Sequence, residues 1–144
     1  MALGVSRDVV ATAERMLADA YELVLSGWCQ GATAQDEAGR TVEPSSAFAR
    51  RWSAAGALER VWRRALEGEE AGLDAYERAC LALAATIHDV PQRWNDDAGR
   101  RVDEVLDALA AALDRLRPVR NLSLSVEGVV EEAHRGDGPL VLAD

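Results

Sequence analysis

Three side chains in this sequence could together support nucleophilic chemistry: Cys29, His88 and Asp96. Cys29 lies in Trp28-Cys29-Gln30-Gly31, just after the predicted end of the first helix, where a thiol could be accessible. A thiol nucleophile needs a base within hydrogen-bond reach, and His88 is one of only two histidines in the chain. The alternative is that Cys29 is a small buried side chain, as most free cysteines are.

A second marked segment, Trp94-Asn95-Asp96-Asp97, lies between two predicted helices. In a structural interpretation, an aspartate caps the following helix and Trp94 anchors the loop. In a functional interpretation, Asn95 and Asp96 point into a pocket close to His88. The histidine and the aspartates match no recognised metal-ligand spacing, and the chain has no phosphate loop or dinucleotide fingerprint. We therefore predict no metal site and no cofactor.

The third candidate site is rich in arginine. Residues 47–66 contain five arginines and one acidic residue, Glu59. Arg60, Arg63 and Arg64 flank Trp62, a pattern that suits an anion or an acidic partner. Alternatively, these arginines pair with the glutamates of residues 67–70 and with the end of their own helix.

Residues 121–144 offer a further partner for these arginines, because they hold five acidic residues and one arginine. We expect this tail to dock on the arginine face, either within the chain or across a homodimer. The whole chain has a net charge of −9, so the phosphate backbone repels it and we expect no binding to nucleic acid.

These candidates need a scaffold, and a chain of 144 residues is long enough for one domain with a sizeable core. No apolar run is long enough to span a membrane, and residues 1–16 carry charges where a signal peptide would be apolar. We therefore expect a cytoplasmic protein without membrane segments. Residues 1–118 form the domain, and residues 119–144 form an irregular C-terminal tail.

Apolar residues at helical spacing predict a mainly α fold, a compact four-helix domain. The predicted helices cover about residues 9–25, 47–65, 74–88 and 101–116. The second helix is expected to begin after Pro44-Ser45-Ser46, with Phe48 and Trp52 on its buried face. In the third helix, Leu73 is expected to face inward.

A small β-hairpin is predicted between helices one and two, at about residues 32–43. Ala32–Gln35 and Arg40–Glu43 flank a polar turn, Asp36-Glu37-Ala38-Gly39. Because an isolated hairpin is marginally stable, it must pack on the helices.

Several motifs together resemble an uncharacterised family of actinobacterial and phage proteins, over roughly residues 9–116. They are Trp28–Gly31, the Asp36–Arg40 turn with Pro44, Arg51–Leu58, Trp94–Asp96 and Glu104–Leu106. Members often carry Cys where this chain has Ser53, and Thr or Ser where Arg101 opens the last helix. The family has no established activity, so the resemblance implies an architecture and transfers no catalytic residue.

Two functions follow as hypotheses. The favoured one is a small non-catalytic binding or assembly protein that takes a small molecule or an acidic protein at a Trp/Arg-lined surface or pocket. The pocket is expected where Trp28, Trp52 and Trp94 converge, and the alternative surface is the arginine-rich face of the second helix. Its binding residues are Trp28, Gln30, Trp52, Arg60, Arg63, Arg64, Trp94 and Asn95. The alternative is a small cofactor-independent enzyme that uses Cys29, His88 and Asp96.

Overall fold

The computed structural model describes residues 7–65 and 67–117 of the chain. Within these ranges it is mainly helical, with one two-stranded sheet. The elements are α1 (Arg7–Ser26), β1 (Ala34–Gln35), β2 (Arg51–Trp52), α2 (Ala54–Ala65), α3 (Glu70–Ile87), α4 (Pro91–Asn95) and α5 (residues 102–117). The tail predicted at residues 119–144 lies outside the described residues. No helix of the described ranges is both long and apolar enough to cross a membrane.

Helix α1 is the centre of the packing and contacts both α2 and α3. Its fully buried side chains recur every three or four residues and form one apolar stripe. They include Val10, Ala13, Leu17 and Ala20. The helix ends at Ser26, whose hydroxyl donates to the carbonyl of Leu23 at 2.6 Å.

The mainly helical prediction is confirmed, but the expected four-helix count is one too low in the described chain. Helix α3 ends at Ile87, with His88 as its left-handed C-cap, and Pro91 occupies the first turn of a new helix, α4. Helix α3 begins at Glu70, within a segment that was expected to be a linker. Leu73 in its first turn is 42% exposed, so the expectation that it faces inward is wrong.

The small antiparallel sheet forms between α1 and α2, but its second strand is not the predicted one. The polar turn is present, since Asp36 N–H donates to the Arg40 carbonyl at 2.9 Å. Residues 40–43, however, add only a single bridge from Thr41 to Gln35. Strand β1 instead pairs with Arg51–Trp52, in the register Ala34 opposite Trp52. Strand β1 therefore pairs with the residues that lead into α2, because the packing of α2 places them beside β1.

Helix α2 begins at Ala54, seven or more residues later than its predicted start. Ser53 is its N-cap, since the Ser53 hydroxyl accepts the N–H of Gly56 at 3.0 Å. Ser46 caps a short turn instead, by accepting the N–H of Phe48. Phe48 is 72% exposed, which contradicts its predicted burial, whereas Trp52 is buried from the strand rather than from a helix.

Gly56 allows the loop after α1 to lie directly on α2. A Cβ at this position would sit 1.8 Å from the Thr33 carbonyl oxygen, which also accepts the N–H of Ser53 at 3.1 Å. The glycine lowers the intrinsic stability of the helix. In return, the backbone of the loop packs against the first turn of α2.

We expect Gly56→Ala to destabilise the protein by about 1–3 kcal/mol, because the added methyl overlaps a fixed backbone oxygen. A glycine in an open helix would give the opposite result, a gain of about 1 kcal/mol. Urea unfolding monitored by circular dichroism measures the difference. Gly99→Ala is the matched control, since nothing lies within 4 Å of its Cβ position. Stabilisation by Gly56→Ala would contradict the close contact.

Candidate functional site

The side chain of Asn95 is fully buried and joins three separate segments of the chain. Its Oδ1 accepts the indole N–H of Trp28 at 2.9 Å and the backbone N–H of Ala54 at 3.1 Å. Its Nδ2 donates to the Cys29 carbonyl at 3.1 Å and to Asp96 Oδ1 at 3.0 Å. An amide has two donors and two acceptor positions, so Asn95 is completely satisfied.

Asp96 and Gln30 extend the same connection between the first loop and α4. Asp96 Oδ1 accepts the N–H of Gly31 at 2.9 Å, and Gln30 donates to the carbonyls of Asn95 and Asp97. Burial opposes ionisation of Asp96, but hydrogen bonds from Gly31, Asn95 and Gln92 lower its pKa below the ordinary value. Asp96 therefore stays charged and holds the loop in place.

Gln92 and Ser53 complete the network, and neither was among the predicted site residues. The Ser53 hydroxyl donates to Gln92 Oε1 at 2.7 Å, and Gln92 Nε2 reaches the Ala32 carbonyl and both oxygens of Asp96. The Ser-Ala-Ala-Gly spacing before an apolar run is a capping signal that could have identified Ser53. No sequence signal pointed to Gln92.

The three predicted tryptophans lie in this region with different partners. Trp28 contacts Trp52 through a backbone bridge, and the Trp52 indole donates to the Pro44 carbonyl at 3.1 Å. The guanidinium of Arg100 lies 3.9 Å from the ring centre of Trp94. Each ring is thus occupied by packing or by a cation, and the cavities described below are lined by other residues.

Cys29 is 5% exposed, and its thiol donates to the Ala32 carbonyl at 3.5 Å. Burial raises the pKa of Cys29 to about 11, and the nearby charge of Asp96 adds to this rise. A thiol with such a pKa is almost entirely protonated at neutral pH, and the thiolate is the reactive form. The loop that was expected to expose Cys29 therefore covers it.

His88 is exposed and occupies the left-handed conformation that ends α3, with φ of 58°. Its backbone N–H donates to the Ala84 carbonyl, and its neighbour Asp89 pairs with Arg93 at 2.6 Å. The structure thus brings Cys29 and Asp96 close together, and within the described ranges the His88 side chain forms no hydrogen bond or ion pair with either. In residues 7–65 and 67–117, no three His, Cys, Asp or Glu side chains are grouped to hold a metal.

The arginines of α2 have two different kinds of partner. Arg63 pairs with Glu59 at 2.8 Å and with Glu67 at 2.6 Å, and it also lies over the ring of Trp62. This agrees with the alternative in which helix and linker glutamates neutralise the arginines. Of the three arginines predicted to bind a partner, only Arg63 is paired with glutamates in this way.

Arg60 and Arg64, together with Arg50, form what we call the arginine cluster. Arg60 donates to the carbonyls of Pro44 and Ser46, both at 3.0 Å. Arg64 donates to Ser45, and Arg50 donates to carbonyls of its own loop. Within the described chain none of the three forms a salt bridge. Burial lowers the pKa of Arg60, as do the charges of Arg64 and Arg50. The cluster therefore concentrates positive charge without a carboxylate of the described residues at salt-bridge distance.

A groove beside this cluster, which we call the α1–α2 groove, has a volume of about 460 Å³. It has a largely apolar floor, with charged residues at its edges. Its lining consists of Asp19, Glu22, Leu23 and Ser26 from α1 and of Arg60, Val61, Arg64 and Ala65 from α2. A second open cavity of about 390 Å³ lies next to exposed Phe48 and has a polar rim that includes Asp36 and Arg40.

We expect Asn95→Ala to lower the free energy of unfolding by about 3 kcal/mol or more, because each buried group left unpaired costs about 1–3 kcal/mol. The indole of Trp28, the N–H of Ala54 and the carbonyl of Cys29 would all lose a partner. Urea titration measures the loss. Arg93→Ala on the same short helix is the control, since the Arg93 side chain is 74% exposed. Equal stability of the two variants would show that Asn95 does not hold the segments together.

We expect Cys29 in the native protein to react with iodoacetamide at least about 100-fold more slowly than in urea, because a pKa two units above normal alone removes about that much thiolate. A Cys80→Ala variant isolates Cys29, and mass spectrometry follows the adduct. Rapid native alkylation would show an accessible thiolate and would favour the catalytic hypothesis.

Residues 8–115 match the model of a family described as a family of unknown function, DUF6197. No curated protein and no solved structure matches the chain. The matched range contains every segment joined by Asn95, from the loop after α1 to α4. The predicted resemblance to an uncharacterised family is confirmed to this extent, and the chain belongs to the family of unknown function DUF6197.

Proposed function

We propose that this protein is a non-catalytic binding protein that takes an acidic protein segment in the α1–α2 groove, against the arginine cluster. The observation that carries the proposal is that Arg60 and Arg64, which line a largely apolar groove, donate hydrogen bonds to carbonyls and form no salt bridge within the described residues. Arg50 lines the cavity next to Phe48, and its positive charge acts on Arg60. Such a site attracts a carboxylate and also gives apolar side chains a place to pack.

The hydrogen bonds of the cluster fix the guanidinium groups without neutralising them. A guanidinium has five N–H donors, and Arg60 uses only Nη1 in its two carbonyl contacts. Arg64 uses Nε and Nη2, both on Ser45. The remaining donors can bind a carboxylate, and charge-assisted hydrogen bonds of this kind are roughly twice as strong as neutral ones. Preorganised side chains also lose less entropy on binding.

The groove further limits the class of partner. It is open, whereas sites for small molecules enclose most of the ligand, so an extended or helical protein segment fits it better. Leu23 and Val61 offer apolar contact at the floor. Asp19 and Glu22 edge the α1 side, opposite the arginines. A partner with apolar residues on one face and carboxylates along one edge would therefore bind in one orientation.

The enzymatic alternative with Cys29, His88 and Asp96 has less support. Cys29 is buried with a raised pKa, and Asp96 uses its carboxylate to hold Gly31, Gln92 and Asn95. The Cys29 thiol bonds to the Ala32 carbonyl, and His88 forms no hydrogen bond or ion pair with Cys29 or Asp96 among the described residues.

A fluorescein-labelled amphipathic peptide of leucine and glutamate tests the proposal through fluorescence anisotropy. We expect saturable binding that weakens about tenfold or more in Arg64→Glu, since a tenfold change corresponds to about 1.4 kcal/mol. Val61→Glu should weaken it similarly. Arg93→Glu, an exposed charge reversal on α4, is the matched control and should leave the affinity within about twofold.

Salt provides an independent check, because the Debye length falls from about 30 Å at 0.01 M to about 3 Å at 1 M ionic strength. Binding should weaken steeply over this range. The titration is repeated on the Glu127→Gln/Glu131→Gln/Glu132→Gln variant. This variant lacks three carboxylates of the chain itself that could compete with the peptide for the groove. If neither form binds the peptide, or if Arg64→Glu binds it as well as Arg93→Glu does, the groove does not take an external acidic segment.

A further inference from the structure

We propose that residues 121–144 of this chain, which we call the acidic segment, dock in cis in the α1–α2 groove and compete there with the external partner. This inference rests on the proposed function, since it concerns the same groove. The acidic segment would act as an intramolecular inhibitor that a more acidic or longer partner displaces.

Charge complementarity is the first argument. The acidic segment holds five carboxylate residues and one arginine. Arg60 and Arg64 on α2, together with Arg50 just before β2, donate to carbonyls and form no salt bridge in the described structure, whereas Arg63 pairs with two glutamates. The protein as a whole has a net charge of −9, so an acidic segment is repelled from most of its surface. The α2 edge of the groove, with Arg60 and Arg64, is therefore the favoured place for its carboxylates, and the α1 edge with Asp19 and Glu22 repels them.

The apolar pattern of the segment is the second argument. Leu122, Leu124 and Val126 alternate with polar residues, and Leu140-Val141-Leu142 is a short apolar run. Exposing such residues to water is unfavourable. The α1–α2 groove supplies a matching apolar floor through Leu23, Val61 and Ala65. One surface thus fits both the carboxylates and the apolar residues of the same segment.

The path of the chain is the third argument. Helix α5 lies against α1 around a cavity of about 280 Å³ that Leu17, Tyr21 and Leu113 help to line. Glu22 lines this cavity and also the α1–α2 groove, so α5 and the groove lie on adjacent sides of α1. Residue 117 lies about 6 Å along the helix beyond Leu113, at 1.5 Å per residue. Residues 118–121 can span at most about 14 Å, somewhat more than the diameter of one helix.

A tethered ligand needs little intrinsic affinity. A short flexible connection gives an effective concentration in the millimolar range, so a contact with a dissociation constant of about 0.1 mM would be about 90% occupied in cis. The affinity of an external acidic peptide for the full chain would then be lowered about tenfold. Because both contacts depend on charge, raised salt would release the segment and weaken the external peptide together.

Amide chemical shifts of the full chain test the docking directly. The Glu127→Gln/Glu131→Gln/Glu132→Gln variant should shift amide signals of groove residues such as Leu23, Val61 and Arg64. The control variant Glu69→Gln/Glu70→Gln/Glu77→Gln removes the same number of exposed carboxylates at or near α3, and it should leave those signals in place. The acidic-segment variant should also bind the labelled peptide about tenfold more tightly than the unaltered chain.

The outcomes separate this inference from the proposed function. Unchanged groove signals with equal peptide affinity in both forms would overturn the docking of the acidic segment while leaving the groove as a binding site. Groove shifts without peptide binding by either form would support the docking and overturn the external partner. Groove shifts that appear only with rising concentration, together with a dimer mass from light scattering, would place the segment on a second copy and overturn docking in cis.

Discussion

The amide of Asn95 is the interaction on which the rest of the described structure depends. It is fully buried, and its four hydrogen bonds reach the loop after α1, the first turn of α2 and the neighbouring Asp96. Burying an amide is unfavourable unless each of its hydrogen-bonding positions has a partner. The partners here come from segments far apart in the sequence, so the amide is satisfied only when the whole arrangement is formed. One polar side chain thus makes the docking of α4 conditional on the correct fold of the first loop and of α2.

The network around Asn95 also gives a structural role to the two marked segments of the sequence, Trp28–Gly31 and Trp94–Asp97. Cys29 and Asp96 are candidate catalytic groups by residue type, a thiol nucleophile and a carboxylate. In the structure both are bonded to Asn95, and Gly56 lets the backbone of Thr33 lie on α2.

Two kinds of arginine contact on α2 have different consequences. Arg63 meets two glutamates, and its charge is compensated at the surface, where such pairs contribute little to stability. Arg60 and Arg64 instead donate hydrogen bonds to the carbonyls of residues 44–46, and these neutral acceptors do not compensate the positive charge. The same bonds fix the segment that leads to exposed Phe48. A structural role and a binding role are therefore compatible in Arg60 and Arg64, because carbonyl hydrogen bonds orient a cation without cancelling it.

The sequence by itself determined the helical class, the approximate positions of α1, α3 and α5, and the polar turn at Asp36–Arg40, because periodicity and turn chemistry are local properties. It also marked the segments around Trp28 and Asn95. Only the tertiary structure decided that β1 pairs with Arg51–Trp52, that α2 begins at Ala54 and that Phe48 faces solvent. The same holds for the role of Asn95, whose bond to Trp28 joins residues 67 positions apart. A local pattern gives each residue its preferred conformation, but a buried polar group acquires its role from partners that only the folded chain brings within hydrogen-bond distance.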